Sequence, residues 1–216
     1  MKHDVFLEYL QERLRHPLPG WEYQQMMSPI IGGKQTTEPR DIPNDAHQTG
    51  VAALLMPGND GTELIFTIRS QYVSHHKGQI SFPGGRSEIN ETIIETALRE
   101  TEEELGIQQS AISVLGNLTS LYVPPSHSLM HVIVGALDHR PNFQPNEQEV
   151  EEVFSISLNA LAFDHSIVHL PKMHSQGIEV LAPCWPIHAK NHLWGATAMC
   201  TSELVGLYRD CVHDIR

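Results

Sequence analysis

The sequence predicts an α+β domain arranged as an α/β/α sandwich, and three observations lead to this fold class. The length of 216 residues suits one domain of ordinary size with an additional arm. Hydrophobic residues make up 40% of the chain and charged residues 19%, a composition that allows a packed core. Strand patterns are mixed with a few helical patterns and do not alternate strictly with them.

The N-terminal part is predicted to be a helix followed by an extended arm. Apolar residues at helical spacing end before Pro17 and predict a short amphipathic helix over residues 3–15. Residues 17–48 contain several prolines and glycines and little periodicity, and this arm either covers a homodimer interface or wraps its own domain. We therefore divide the chain into an N-terminal helix and arm, residues 1–45, and a main domain, residues 46–216.

The main domain begins with a predicted hairpin. Residues 50–56 and 64–69 are apolar strands joined by the turn signal Asn59-Asp60-Gly61. The segment 70–90 is loop-like apart from a short strand near 80–82, and a helix is predicted over residues 91–105. The remaining predicted elements are strands at 113–121, 129–138, 151–156 and 178–188, a helical turn at 158–163 and a terminal helix at 196–212.

The composition excludes several classes of function. There are 14 lysines and arginines against 26 acidic residues, and the net charge of −12 argues against non-specific binding to nucleic acid or anionic membrane. No apolar run approaches the roughly 18 residues of a membrane span, and the N-terminus lacks the apolar core of a secretory signal. The cysteines Cys184, Cys200 and Cys211 form no C-x-x-C motif and suit a reducing compartment. We therefore expect a cytoplasmic protein without a membrane or nucleic-acid partner, and we interpret the histidines as scattered rather than as metal ligands.

The helix over 91–105 shows signals at both ends. Asn90 is a plausible N-cap, Glu91 suits the positive end of the helix dipole, and Gly106 stands where a left-handed C-cap glycine belongs. One apolar stripe, with a single polar member, is expected to face the core: Ile94, Ala97, Leu98, Thr101 and Leu105.

Three acidic residues cluster on the opposite face of this helix. Glu100, Glu103 and Glu104 fall within about 100° of arc, and clustered carboxylates are what a hard divalent cation such as Mg²⁺ binds. The alternative is a solvated acidic helix face. Gly84-Gly85 favours the metal site, because glycines let the backbone approach a phosphate or a metal.

Arg99 lies among these acids and admits two interpretations. It could hold one carboxylate by a bidentate contact and be braced in turn by Glu91. The alternative is an ordinary surface pair between Glu95 and Arg99, which would contribute little.

The segment from Gly85 to Ile107 resembles the Nudix box, G-x5-E-x7-R-E-U-x-E-E-x-G-U. All fixed letters are present, from Gly85 and Glu91 through Arg99-Glu100 and Glu103-Glu104 to Gly106, while Thr101 stands at the first aliphatic position. The resemblance implies the Nudix fold, an α/β/α sandwich with a mixed β-sheet. It also implies hydrolysis of a nucleoside diphosphate linked to another moiety, with Mg²⁺ or Mn²⁺ as cofactor.

The resemblance also assigns roles to individual residues. It implies that Glu100, Glu103 and Glu104 bind the metal, that Gly85 offers its carbonyl group to it, and that Arg99 and Glu91 orient the cluster. Nudix enzymes often use a further glutamate from a later loop, as a base or for an extra metal. The candidates are Glu147, Glu149, Glu151 and Glu152, of which we choose Glu149 because it precedes the alternating strand pattern.

The loop before the box resembles the additional motif of coenzyme A pyrophosphatases, roughly T-x-R-S-x-x-L-R-x-H-x-G-x-x-x-F-P-G-G. Two positions depart from it, with Val73 in place of Leu and Ser74 in place of the second Arg. Residues 193–198, Leu-Trp-Gly-Ala-Thr-Ala, resemble a C-terminal segment of the same subfamily. The expected substrate-binding residues are Arg69, Ser70, His76, Lys77, Gly84, Gly85 and Arg86.

Basic residues in this loop support anion binding without the resemblance. Arg69, Lys77 and Arg86 put positive charge beside the acidic helix in a protein poor in cations. The alternative is that Arg69 ends a strand and Lys77 is merely solvated.

The predicted function is hydrolysis of coenzyme A or acyl-CoA to 3′,5′-ADP and the 4′-phosphopantetheine portion. The departure at Ser74 keeps open a Nudix hydrolase of another substrate, such as ADP-ribose or dinucleotide polyphosphates. A ligand sensor without turnover and an isomerase on the same fold are disfavoured, because all box carboxylates are retained.

Overall fold

A computed structural model describes residues 1–39, 41–73, 76–173 and 179–215 of the chain. The helices are α1 (His3–Arg13), α2 (Trp21–Gln24), α3 (Ile93–Leu105) and α4 (Gly195–Asp214). The strands are β1 (Ile30–Ile31), β2 (Lys34–Gln35), β3 (His47–Gly58), β4 (Gly61–Arg69), β5 (Ile80–Ser81), β6 (Gly84–Arg86), β7 (Ser113–Asn117), β8 (Leu121–Val123), β9 (Ser128–Ala136), β10 (Val150–Ser157), β11 (Val168–Met173) and β12 (Glu179–Cys184). A π-helical turn covers Ala160–Asp164.

The main sheet is mixed and is centred on β3. Its strands run in the order β10-β4-β3-β9-β7, with β5 beside β4, β6 beside β3 and β8 beside β9. Strand β3 pairs in parallel with β9, and the other pairs are antiparallel. The predicted hairpin forms between β3 and β4, with Leu55 opposite Leu64.

Two hydrophobic cores lie on the two faces of this sheet. Alternation along β3 sends Ala52 and Leu54 toward α3, and Ala53 and Leu55 toward α4. The core under α3 also contains Leu105. The core under α4 also contains Phe6 and Leu10 of α1 and Phe66 of β4. The predicted α/β/α sandwich with a mixed sheet is therefore confirmed.

Helix α3 begins later than its sequence signals suggested. Thr92 is the N-cap: its hydroxyl accepts from the Glu95 N–H, and the Glu95 carboxylate accepts from the Thr92 N–H at 2.8 Å. The assignment of Asn90 as N-cap was therefore wrong, because Asn90 has a φ of 70° and lies in the turn before the helix. The prediction for Gly106 is confirmed, with a φ of 69°.

The buried face of α3 is rotated relative to the predicted stripe. Ile94 is 44% exposed, whereas Thr96 and Glu104 are buried. Thr96 packs against β3, where a Cβ at Gly50 would lie 3.1 Å from the Thr96 Cβ. Glu104 was predicted to lie on the face away from the apolar stripe, but its carboxylate is buried beside Gly84 and Arg69.

The arm is more structured than its composition suggested. It forms α2 and the short strands β1 and β2, which join β12 and β11 in a smaller sheet in the order β11-β12-β1-β2. Strand β11 was not predicted, and the predicted strand 178–188 ends at Cys184, after which Trp185 bridges to Leu193. The predicted strand 113–121 divides into β7 and β8 because the Thr119 N–H and hydroxyl groups bind the Glu203 carboxylate instead of a neighbouring strand.

The N-terminal region packs on its own chain through α4. The Phe6 and Tyr208 rings pack edge to face at 5.0 Å. The buried Glu203 carboxylate accepts from the Gly20 N–H at 3.1 Å, the Gln24 amide at 2.9 Å and the Thr119 hydroxyl at 2.7 Å. The arm thus wraps its own domain, and a homodimer stays a prediction.

None of the helices in the described ranges combines the length and the apolar character that a membrane span requires.

Candidate active site

Three carboxylates meet where α3 faces the beginning of β10. Oxygen atoms of Glu100, Glu104 and Glu149 lie within 4.8 Å of one another. The first two come from successive turns of α3, and the third comes from the residue just before β10. Close carboxylates repel one another unless a cation lies between them, and Mg²⁺ and Mn²⁺ prefer oxygen ligands of this kind. The donor set therefore fits a divalent metal ion.

Glu104 is the buried member of this group, with 1% of its surface exposed. Its carboxylate accepts from the Gly84 N–H at 3.3 Å and lies 3.5 Å from the Arg69 guanidinium group. Burial raises the pKa of Glu104 to about 8, against the opposing effect of Arg69. A buried carboxylate is costly to ionise without a partner, so a metal ion bound beside Glu104 would stabilise its ionised form. The raised pKa therefore agrees with a metal-binding role for this group.

Glu100 lies against the glycine pair. A Cβ at Gly85 would overlap the Glu100 carboxylate, so only glycine leaves room for it. Arg99 contacts the same carboxylate at 3.0 Å. Burial raises the pKa of Glu100, although Arg99 opposes the shift.

Arg99 joins the beginning of α3 to the carboxylate group. Its Nε donates to Glu91 at 2.8 Å, and its Nη1 donates to Glu103 at 3.0 Å. Hydrogen bonding to Arg99 lowers the pKa of Glu91 to about 2. The predicted brace between Glu91 and Arg99 is present. The alternative surface pair with Glu95 is not formed in the described residues, because Glu95 serves the N-terminal cap.

Glu103 lies apart from the close group. Its side chain is 54% exposed and turns toward Arg99, whereas Glu149 occupies the third position in the carboxylate cluster. The assignment of Glu103 as a metal ligand stays a prediction from the resemblance. So does the assignment of Glu149 as a base, although the structure brings its carboxylate to the cluster.

The predicted substrate-binding residues occupy different environments. Arg69 faces the cluster through Glu104. Ser70 is buried, and its hydroxyl accepts from the Tyr72 N–H at 3.2 Å, which stabilises the loop. His76 and Lys77 are exposed, as is Arg86, whose carbonyl group accepts from Arg99 at 3.4 Å. Gly84 donates to Glu104 as described above, and Ser74 lies outside the described residues.

Sequence reasoning missed Asn146, which contacts the cluster. Its amide nitrogen donates to Glu149 at 3.1 Å. No sequence motif identifies Asn146, because its role depends on the folding of its loop against the C-terminal end of α3.

Comparison with known proteins gives the family. A sequence profile of the NUDIX domain matches residues 46–177. The chain belongs to the Nudix family, and the predicted class of enzyme, a Nudix pyrophosphohydrolase, is confirmed. Hydrolases of this family use divalent metal ions, in agreement with the donor set of Glu100, Glu104 and Glu149.

Three relatives illustrate the similarity. The mitochondrial coenzyme A diphosphatase NUDT8 of Mus musculus is 35% identical over 151 residues, which are 64% of this chain and 67% of the relative. The peroxisomal coenzyme A diphosphatase NUDT7 of Mus musculus is 36% identical over 124 residues, 56% of this chain and only 51% of the relative. The uncharacterized Nudix hydrolase NudL of Yersinia enterocolitica is 38% identical over 174 residues, 79% of this chain and 86% of the relative.

A solved structure supports the fold alone. The Nudix hydrolase RenU from M. smegmatis superposes with a TM-score of 0.53 at 16% identity, covering 79% of this chain and 88% of that one.

Proposed function

We propose that this protein hydrolyses the diphosphate bond of coenzyme A or acyl-CoA, releasing 3′,5′-ADP and the 4′-phosphopantetheine portion. The observation that carries the proposal is the packing of the Arg69 side chain against the carboxylate cluster. Arg69 belongs to the segment that resembles the coenzyme A motif, and its guanidinium group lies 3.5 Å from Glu104. The loop proposed to recognise the substrate and the carboxylates proposed to act on it thus form one site.

Mg²⁺ or Mn²⁺ is the proposed cofactor, held by Glu100, Glu104 and Glu149 with Glu103 as a further candidate. When bound, such an ion neutralises the charge of the diphosphate and acidifies a coordinated water molecule. The carbonyl group of Gly85 is the proposed backbone ligand. Support comes from the mutual approach of the three carboxylates and from the lack of any side chain at Gly85.

The remaining residues of the site have positioning and charge-balancing roles. Arg99 holds Glu100 in place and is itself fixed by Glu91, so that the carboxylate is oriented before the substrate arrives. The Arg69 guanidinium group can bind a phosphate group of the substrate. It also offsets part of the negative charge of the Glu104 carboxylate. Glu149 has an alternative proposed role to that of metal ligand, as the base that accepts a proton from the attacking water.

The names of two relatives support coenzyme A as the substrate. Both describe coenzyme A diphosphatases.

The location, the oligomeric state and the phosphate contacts are proposed from the sequence. We propose a cytoplasmic location from the cysteine pattern, and a homodimer that light scattering would test. The proposed contacts for the 3′-phosphate are His76, Lys77 and Arg86, because all three are exposed and basic and belong to the segment around the glycine pair that resembles the coenzyme A motif.

Product analysis tests the proposal directly. Purified protein is incubated with CoA and Mg²⁺ or Mn²⁺, and the expected products are 3′,5′-ADP and 4′-phosphopantetheine. A panel with ADP-ribose and dinucleotide polyphosphates at equal concentration tests the second candidate, which the serine at position 74 favours. Turnover of a panel member without consumption of CoA would replace the first candidate by the second.

A further inference from the structure

The segment before β10 is docked onto the C-terminal turn of α3. The last carbonyl groups of a helix have no partner within the helix and need one elsewhere. Here the Gln144 N–H donates to the Leu105 carbonyl group at 2.8 Å, and the Asn146 N–H donates to the Glu104 carbonyl group at 3.0 Å. Gly106 permits the approach, since a Cβ at that position would lie 2.8 Å from the Gln144 Cβ.

Asn146 then turns the chain into β10. Its carbonyl group accepts from the N–H groups of Glu149 at 2.9 Å and Val150 at 2.8 Å. The Glu149 carbonyl group in turn accepts from the Ser70 N–H at 2.8 Å, next to Arg69 at the end of β4. The backbone of Glu149 is thus fixed between α3, which carries Glu100 and Glu104, and the end of β4, which carries Arg69.

The side chain of Asn146 fixes the carboxylate as well. Its Oδ1 accepts from the Gln148 N–H at 3.1 Å, and because an N–H can only donate, the oxygen end of the amide must face Gln148. The nitrogen end therefore faces Glu149 and donates to its Oε1 at 3.1 Å. An amide holds one oxygen of the carboxylate without neutralising its charge.

This contact matters because Glu149 points toward two other carboxyl groups. Oxygen atoms of Glu100 and Glu104 lie within 4.8 Å of one of its own, and either carboxyl group repels Glu149 when it is ionised and no cation is present. A freely rotating glutamate would turn toward solvent, and a neutral donor prevents this while leaving the negative charge for a cation. We propose that Asn146 is a positioning residue that holds Glu149 in the carboxylate cluster and couples it to the C-terminal end of α3. The inference rests on the proposed function.

Mn²⁺ binding without substrate provides the test. The affinity is measured by electron paramagnetic resonance of free Mn²⁺, for Asn146→Ala in the wild-type protein and in the Glu149→Gln variant. We expect Asn146→Ala to weaken binding on the order of 10-fold in the wild-type background. In the Glu149→Gln background it should change little, because its target carboxylate is already gone. Asn142→Ala, an exposed change on the same segment, is the matched control and should bind as wild type does.

A second variant guards against a loss of folding. Asn146→Ser keeps an acceptor for the Gln148 N–H but cannot reach Glu149, and should reproduce the weakening with an unchanged melting temperature. Equal weakening in both backgrounds, no weakening in either variant, or no Mn²⁺ binding by the wild type would overturn the inference. CoA turnover is assayed separately, so that an inactive protein with the expected Mn²⁺ pattern refutes the substrate and leaves the positioning role intact.

Discussion

The Arg99 side chain reaches back along α3 to Glu91, with its Nε 2.8 Å from the Glu91 carboxylate. Glu91 also accepts from the Thr96 hydroxyl at 2.8 Å and from the Glu88 N–H at 3.0 Å, so its carboxylate is fixed from several sides. This fixed carboxylate restrains the Arg99 guanidinium group, which also contacts Glu100 and Glu103 at 3.0 Å.

The first prediction concerns this brace. Glu91→Gln should lower kcat roughly 10- to 100-fold with a smaller effect on KM, because Arg99 then holds Glu100 less firmly. The pKa of Glu91 is lowered to about 2, so the brace stays ionised until the pH falls toward that value. The acidic limb of the kcat profile should therefore have the same midpoint in variant and wild type. Glu102→Gln, an exposed change on the same helix, is the control, and an unchanged kcat in Glu91→Gln would contradict the role.

A second prediction separates the two neighbouring glycines. Gly85→Ala should reduce activity on the order of 100-fold, because the new methyl group displaces the Glu100 carboxylate. Gly84→Ala should instead destabilise the fold by about 2 kcal/mol or more, because Gly84 has a φ of 147° and packs against the backbone of β3. Urea unfolding and steady-state kinetics on both variants distinguish the effects, and a fully active Gly85→Ala protein would refute the crowding argument.

The third prediction tests Glu104 in the reaction. Glu104→Gln should lower turnover on the order of 100-fold or more, since it removes a charged ligand from the proposed metal site. The variant should remain folded even though the position is buried, because glutamine has the same shape and can still accept from the Gly84 N–H. Kinetics with circular dichroism checks both statements, and a rate near that of the wild type would remove Glu104 from the site.

Glu104 should also give the metal-free protein a characteristic pH dependence. Its pKa rises from an ordinary 4.5 to about 8 on folding, so the folded state binds more protons than the unfolded state between these values. The contribution of Glu104 to stability is therefore fully present below about pH 4.5 and is lost as the pH rises through about 8. With EDTA present, the wild type should lose stability relative to Glu104→Gln over this window, by at most about 1.4 kcal/mol per pH unit. Parallel stability curves for the two proteins would contradict the burial argument.

The fifth prediction concerns the attachment of the arm. Glu203→Ala should destabilise the protein by about 3 kcal/mol, because it removes the acceptor of the Gly20 N–H and of the Thr119 N–H and leaves the Gln24 amide with the Thr119 carbonyl as its remaining acceptor. Activity per folded molecule should change little at low temperature, since none of these groups belongs to the carboxylate cluster. Urea denaturation measures the loss, and a change below about 0.5 kcal/mol would mean that water replaces the carboxylate.

The sequence predicts well those parts of the site that depend on local spacing. Arg99 and Glu100 follow from the helical period, and Gly85 follows from the fixed distance to Glu91 in the box. Burial of Glu104 could not be predicted in this way, because it depends on Gly84 and Arg69, which approach the carboxylate from outside the helix.

Long-range pairings explain the remaining failures. Glu203 meets Gly20 across 183 positions of the chain, and no periodicity of either segment reveals this contact. Asn146 likewise acquires its role only when its loop meets α3. The division of 113–121 belongs to the same class, since Thr119 binds Glu203 across 84 positions of the chain. Strand β11 is the exception, because it pairs with β12, the strand that directly follows it.

The parallel pairing of β3 with β9 has a consequence for how the enzyme is made. Everything between the two strands, including the glycine pair and α3, lies in the connection that closes when His47 and Ser128 come into register. Closing such a large loop costs chain entropy before any contact repays it, and topologies of this kind fold slowly. During synthesis the nascent chain therefore lacks a complete carboxylate cluster until the ribosome has released β10 as well. A chain that ends before Glu149 would contain Glu100 and Glu104 but lack the third member of the carboxylate cluster.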